Sequence, residues 1–107
     1  MISAKKQKTR SCLVKIQKSI LPILKKNNVL KAGIFGSFAR GEEKKTSDID
    51  ILVQLKKGKS MFDLVKLEEE LTIKTKRKVQ AITYNSLHPL LKEKILSEEV
   101  RIYGKRS

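Results

Sequence analysis

Two of the three aspartates in this 107-residue chain, Asp48 and Asp50, stand two positions apart. Ile49 to Leu55 is the clearest strand signal in the sequence, β-branched and apolar between polar flanks. Side chains on a strand alternate, so Asp48 and Asp50 project from one face, with Cα atoms roughly 6.5 Å apart. Ile49, Ile51 and Val53 take the opposite face and anchor the strand. Two like charges held this close destabilise each other unless a cation lies between them. Carboxylates are the usual ligands of Mg²⁺, which binds through one or two of them together with substrate phosphates. Two such ions, roughly 3.5–4 Å apart, stabilise the attacking and leaving oxygens of phosphoryl or nucleotidyl transfer.

A second motif precedes this pair. Val29 to Phe35 reads as a strand, weakened by Gly33, and it runs into Gly36-Ser37-Phe38-Ala39-Arg40-Gly41. A tight turn opening a short helix is expected there. Glycine lets backbone N–H groups approach phosphate oxygens closely, and the Ser37 hydroxyl adds a donor. A helix beginning at this point presents the positive end of its dipole to an anion. Arg40 has two readings: a phosphate contact, or a pair with Glu42 or Glu43. A lone D-x-D or a lone Gly-Ser is a weak signal. Together, in this order and each beside a strand, they point to chemistry on a phosphate.

The flanking elements follow from periodicity and punctuation. From Arg10 to Asn27 the residues Leu13, Ile16, Ile20 and Leu24 recur at helical spacing, and Pro22 is expected to kink or split that helix. Residues 1–9 are expected to fray, leaving 10–107 as a single domain. Glu42 to Ser47 reads as a polar loop. Ser60 reads as an N-cap with Asp63 three residues on, before a helix that turns Met61, Leu64, Leu67 and Leu71 to the core. Lys78 to Thr83 reads as a third strand. Ser86 is expected to cap a last helix that accepts Pro89 in its first turn and lines up Leu87, Leu91 and Ile95. Val100 to Tyr103 closes the chain as a short strand. The fold class is α+β: a small mixed β-sheet with helices packed on one side.

Charge narrows the partners. Lys and Arg number 25 against 11 acids, a net charge of +14, and no acid occurs before Glu42. A basic front half suits an anionic partner: nucleic acid, nucleotide phosphates or an acidic protein face. Five aromatics and no Trp argue against a stacking platform for single-stranded bases. One cysteine and one histidine exclude an internal disulfide framework and a Cys/His zinc site. Neither a signal peptide nor a membrane span is drawn, because Lys15, Gln17 and Lys18 interrupt the first apolar run. The expected compartment is the cytoplasm.

Other candidates read as structure. Gly36 and Gly41 have Walker A glycine spacing, but Glu42 occupies the lysine position. His88 reads as a helix cap or surface decoration, and Cys12 as a core residue on an apolar helical face. Glu68-Glu69-Glu70 reads as a solvated helix face. Tyr84 and Tyr103 are ordinary aromatics by default, with hydroxyls that could accept a group in self-modification.

Gly36-Ser37-Phe38-Ala39-Arg40-Gly41 followed by Ser47-Asp48-Ile49-Asp50-Ile51 resembles the signature of the DNA polymerase β-like nucleotidyltransferase superfamily. The size resembles its minimal nucleotidyltransferases, the MNT proteins. The resemblance implies a polymerase β-like nucleotidyltransferase core. It implies triphosphate binding by Gly36 and Ser37, and two Mg²⁺ ions held by Asp48 and Asp50, which are then the catalytic pair; Arg40, Gly41 and Ser47 are further nucleotide-binding candidates beside them. It also implies transfer of a nucleoside monophosphate from ATP to a hydroxyl, with release of pyrophosphate. MNT proteins are commonly the antitoxin partners of HEPN toxins, and some attach AMP to a tyrosine of the toxin. This chain lacks the Arg-x₄₋₆-His motif of HEPN ribonucleases, so the resemblance assigns it the antitoxin half.

One position departs from the family pattern. Where a third aspartate is common, within a run like Val-Asp-Leu-Val, this chain has Val79-Gln80-Ala81-Ile82. An amide can ligate through its carbonyl oxygen, but it adds no charge and is a poor base. Loss of such a base costs roughly 10²–10⁴ in rate. Three functions therefore stand side by side: an active AMP-transferring antitoxin, a nucleotide-binding antitoxin that neutralises its partner by covering it, and, less favoured, a small basic nucleic-acid binder.

Overall fold

The computed structural model describes residues 2–44 and 46–104, with side chains described from Leu13 onward. The elements follow in the order α1 (Ile2–Lys26), β1 (Val29–Phe35), α2 (Ser37–Arg40), β2 (Ile49–Leu55), α3 (Met61–Thr75), β3 (Val79–Thr83), a single 3₁₀ turn (Tyr84–Ser86), α4 (Pro89–Glu98) and β4 (Val100–Tyr103). The expected mixed sheet is present, with strand order β3-β2-β1-β4. β1 pairs antiparallel with both β2 and β4, whereas β2 and β3 run parallel. A parallel pair needs a crossover, and α3 supplies it.

One face of the sheet carries the core. Ala32 and Ile34 of β1, Ile49, Ile51 and Val53 of β2, and Val79 and Ala81 of β3 meet Ile20 and Leu24 of α1 and Leu64, Leu67 and Leu71 of α3. Leu13 and Ile16 pack at its margin. This alternation turns Asp50 to the opposite face of the interior strand β2.

The outer edge of β3 is closed by α3. The Val79 and Ala81 N–H groups, two residues apart, donate to Thr72 Oγ1 (3.1 Å) and Glu68 Oε2 (2.8 Å), four residues apart on the helix. Side chains four apart on a helix share a face, so they match the two outward amides of an edge strand. Glu68 is thus not part of a merely solvated face, and neither is Glu70, which bonds Asn27 and pairs with Lys26 at 3.2 Å.

Several expectations need correction. The helix expected from Arg10 begins at Ile2; Met1 and the Cys12 side chain lie outside the described residues. Pro22 does not split α1. It is exposed, as is Lys18, whose carbonyl loses its i+4 donor. The buried Ile20 and Leu24 hold the helix on the sheet through that point. Met61 is 73% exposed, because the core stripe begins one turn later at Leu64. Ser86 belongs to the 3₁₀ turn, and His88 caps α4 by accepting from the Leu90 N–H at Nδ1 (3.2 Å). No residue of α4 is buried, and Leu91, expected in an apolar line, is exposed. The capping box of α3 is as expected: the Ser60 N–H donates to Asp63 Oδ2 at 2.8 Å, which lowers the Asp63 pKa.

Candidate active site

The two motifs converge because β1 and β2 are antiparallel neighbours. Phe35 pairs with Asp50, so the turn that leaves β1 at Gly36 lies beside the aspartate pair. Gly36 has φ 77 and ψ −151, in a region that L side chains rarely adopt. A Cβ added there would collide with Asp50 Oδ2 and approach its Cγ to 3.3 Å. Glycine is required twice over, once by the backbone and once by the carboxylate that covers it.

Asp50 is half-buried, and its pKa is raised. Burial is the main cause and the charge of Asp48 adds to it, while the Arg40 guanidinium partly offsets both. The Asp48 contribution at Asp50 has the sign expected of a neighbouring like charge. Among the described residues no three His, Cys, Asp or Glu side chains cluster as a metal cage. Two carboxylates alone suit a hard cation that completes its shell from water and phosphate oxygens.

The remaining candidates are placed as follows. Ser37 opens α2, which has only four residues, so the expected dipole contribution is confined to one turn. Arg40 pairs with Glu42 (2.9 Å) and with Glu98 at the end of α4 (3.1 Å), not with Glu43. Its electrostatic reach extends to Asp50. Gly41 ends α2 in the left-handed conformation, φ 74. The Ser47 hydroxyl accepts the Lys44 N–H at 2.7 Å and so shapes the loop ahead of Asp48.

Gln80 pairs with Asp50 across the parallel β2–β3 ladder, and paired positions share a face. The place beside the aspartates on β3 is therefore filled by an exposed amide.

A model of the polymerase beta nucleotidyltransferase family matches residues 18–107. The chain belongs to this nucleotidyltransferase family. Among its relatives is the candidate protein adenylyltransferase MJ0435 of Methanocaldococcus jannaschii, 54% identical over 87 residues, or 81% of this chain and 94% of that protein. A toxin–antitoxin structure with AMP-PNP superposes at TM-score 0.74 and 21% identity, covering 84% of this chain and 74% of that one. A tri-AMPylated HEPN toxin of Shewanella oneidensis in complex with MNT antitoxin matches at TM-score 0.66 and 18% identity, over 84% of this chain and 71% of that one. The minimal nucleotidyltransferase fold expected from the motif is the fold observed.

Three residues of this nucleotidyltransferase were not legible as site residues. Glu98 reaches Arg40 from 58 positions away. Arg77 touches both motifs from the turn between α3 and β3. Glu99, whose side chain is 7% exposed, crosses the face of Gly33, where a Cβ would collide with it. Glu99 Oε2 accepts from Tyr84 Oη and from Arg101 Nε (3.0 Å). Burial and this carboxylate raise the Tyr84 pKa, so its hydroxyl is a donor and a poor nucleophile.

A cleft lies elsewhere. It encloses about 650 Å³ at the far end of β2, between Lys31, Gln54, Lys57, Lys59 and Tyr84, and includes neither aspartate.

Proposed function

We propose that this chain transfers AMP from ATP to a hydroxyl of a partner protein, a HEPN-type toxin, and so acts as its antitoxin. The placement of Asp50 over Gly36, with Asp48 beside it, is the observation that carries this. The adenylyltransferase relative and the antitoxin fold support it. Asp48 and Asp50 would hold Mg²⁺, which when bound neutralises phosphate charge and polarises the α-phosphorus. Gly36 and Ser37 would receive the triphosphate oxygens, and Arg40 would exchange one carboxylate partner for phosphate. Gly41 and Ser47 would serve indirectly, by ending α2 and shaping the loop before Asp48.

The acceptor oxygen attacks the α-phosphorus, the α–β bridging bond breaks and pyrophosphate leaves. The hydroxyl proton passes to water or to a carboxylate of the pair, since Gln80 cannot accept it. Among the described residues no helix is long and apolar enough to cross a membrane. We place the activity in the cytoplasm, where ATP is supplied. The test is Asp48→Asn and Asp50→Asn: each should abolish transfer with the circular dichroism spectrum retained. Undiminished transfer in either would refute the assignment.

The Asp50–Gln80 pairing favours a second reading, in which the chain neutralises its partner by complex formation with little turnover. The double variant Asp48→Asn/Asp50→Asn would then still protect cells from the partner. Loss of protection with the complex intact would exclude it. Nucleic acid is the least favoured partner, and steep loss of affinity with salt in a tight, specific complex would be needed to restore it.

A further inference from the structure

The two halves of the site lie on either side of the chain between Gly41 and Asp48, and the Arg77 guanidinium contacts both sides. Arg77 lies between α3 and β3, just after Lys76 turns the chain through a left-handed φ of 60. Its backbone N–H donates to Thr75 Oγ1 at 3.3 Å. Its Nη1 donates to the carbonyls of Lys44 (3.1 Å) and Ser47 (3.2 Å). The same two residues are joined by the Ser47 N–H on the Lys44 carbonyl, at 3.0 Å, and by the Ser47 hydroxyl. The guanidinium carbon stands 5.1 Å from the ring centroid of Phe38, which is 2% exposed and lies in α2 between Ser37 and Arg40. One next-door bond, from the Ile49 N–H to the Lys78 carbonyl (2.9 Å), fixes the start of β2 against the same segment.

We propose that Arg77 is the positioning residue of this site: it sets Asp48 by gripping the two carbonyls ahead of it, and it locks that loop to the helix that presents Ser37 and Arg40. A core brace would need only the apolar stack on Phe38. The charge and the two donors of one planar group point instead at the loop carbonyls, which lysine cannot hold while stacking in the same way. Displacement of a reacting group by about 1 Å costs on the order of 100-fold. A rigid tether one residue from a metal-binding carboxylate is therefore worth more than its contacts suggest. The nucleotide arm of the test rests on the transferase assignment, while the exchange arm does not.

The experiment compares wild type with Arg77→Ala and Arg77→Lys. Amide exchange of Ser47 and Asp48 should accelerate about tenfold or more in Arg77→Ala, with the amides of Ile51 and Leu67 unchanged. Binding of Mn²⁺ with α,β-methylene-ATP, read by the electron paramagnetic resonance of free Mn²⁺, should weaken about tenfold in Arg77→Ala and less in Arg77→Lys. Millimolar guanidinium should restore part of it to the alanine variant and do nothing for wild type. Unchanged exchange at Ser47 and Asp48, or equal Mn²⁺–nucleotide affinity in all three proteins, would overturn the proposal and leave Arg77 a packing residue. If Arg77→Ala fails to fold, Arg77→Lys decides the matter by the same two readouts. Absence of binding in wild type would count against the transferase assignment instead, and the exchange arm would still decide the role of Arg77.

Discussion

The carboxylate of Asp50 rests on the bare backbone of Gly36: Asp50 Cγ stands 3.3 Å from where a Cβ on Gly36 would be, and Oδ2 is nearer still. The contact joins the last residue before α2 to the second aspartate of the D-x-D, so the Gly36 turn and the aspartate pair cannot shift independently.

Gly36→Ala strains a positive φ and pushes into the carboxylate. We expect a loss of stability of about 1–3 kcal/mol and a fall in transfer rate on the order of 100-fold. Thermal melts and initial rates of AMP transfer check this, and a variant with wild-type rate would show that Asp50 needs no such seat.

Asp50→Asn should lose activity yet melt higher at neutral pH. The folded pKa of Asp50 is raised above 3.8 by burial and by Asp48, so the folded state binds more protons than the unfolded chain just above that pH. The destabilisation is absent below pH 3.8, grows as pH rises to the folded pKa, and persists above it. For a half-exposed group, solvent screening limits the effect to about 1 kcal/mol or less. Melting curves at neutral and acid pH test the sign: a variant less stable than wild type at pH 7 contradicts it.

Gln80→Asp places a third carboxylate on β3 beside Asp50. Transfer should rise by about tenfold or more, since a positioned base contributes about 10²–10⁴ at most. Stability at pH 7 should fall without divalent cation and recover with it. No change in rate would mean that the acceptor proton leaves by another route.

Tyr84→Phe removes one of the donors on Glu99. A cost of about 1–2 kcal/mol is expected, with transfer within about twofold of wild type, because Arg101 still holds the carboxylate. The Tyr84 pKa is raised in the folded state, so stability should fall with rising pH above about 10 in wild type and less so in the variant. AMP on Tyr84 after incubation with ATP would contradict its role as a buried donor.

Local sequence carried most of this fold. Strand alternation in 49–55, the Gly36 turn and the Ser60–Asp63 box are short-range signals, and each is realised where the residues put it. The family resemblance put Gln80 where a third acid is common, but its place opposite Asp50 needed the β2–β3 register. Long-range contacts were not legible. Glu68 and Thr72 look like surface residues until the edge of β3 lies beside them. Arg77 and Glu98 have no motif of their own and acquire a role only when α3 and α4 deliver them to the loop and to Arg40. Met61 and Leu91 satisfy helical periodicity, but each lies outside the face that meets the sheet.

The most direct measurement is incubation of the purified chain with α-labelled ATP, with Mg²⁺ or with chelator, in the presence and absence of the proposed toxin partner. Label is expected on the partner, only with Mg²⁺, and none with Asp48→Asn. A stable complex that never acquires label, or label that survives loss of both Asp48 and Asp50, would contradict AMP transfer by this aspartate pair.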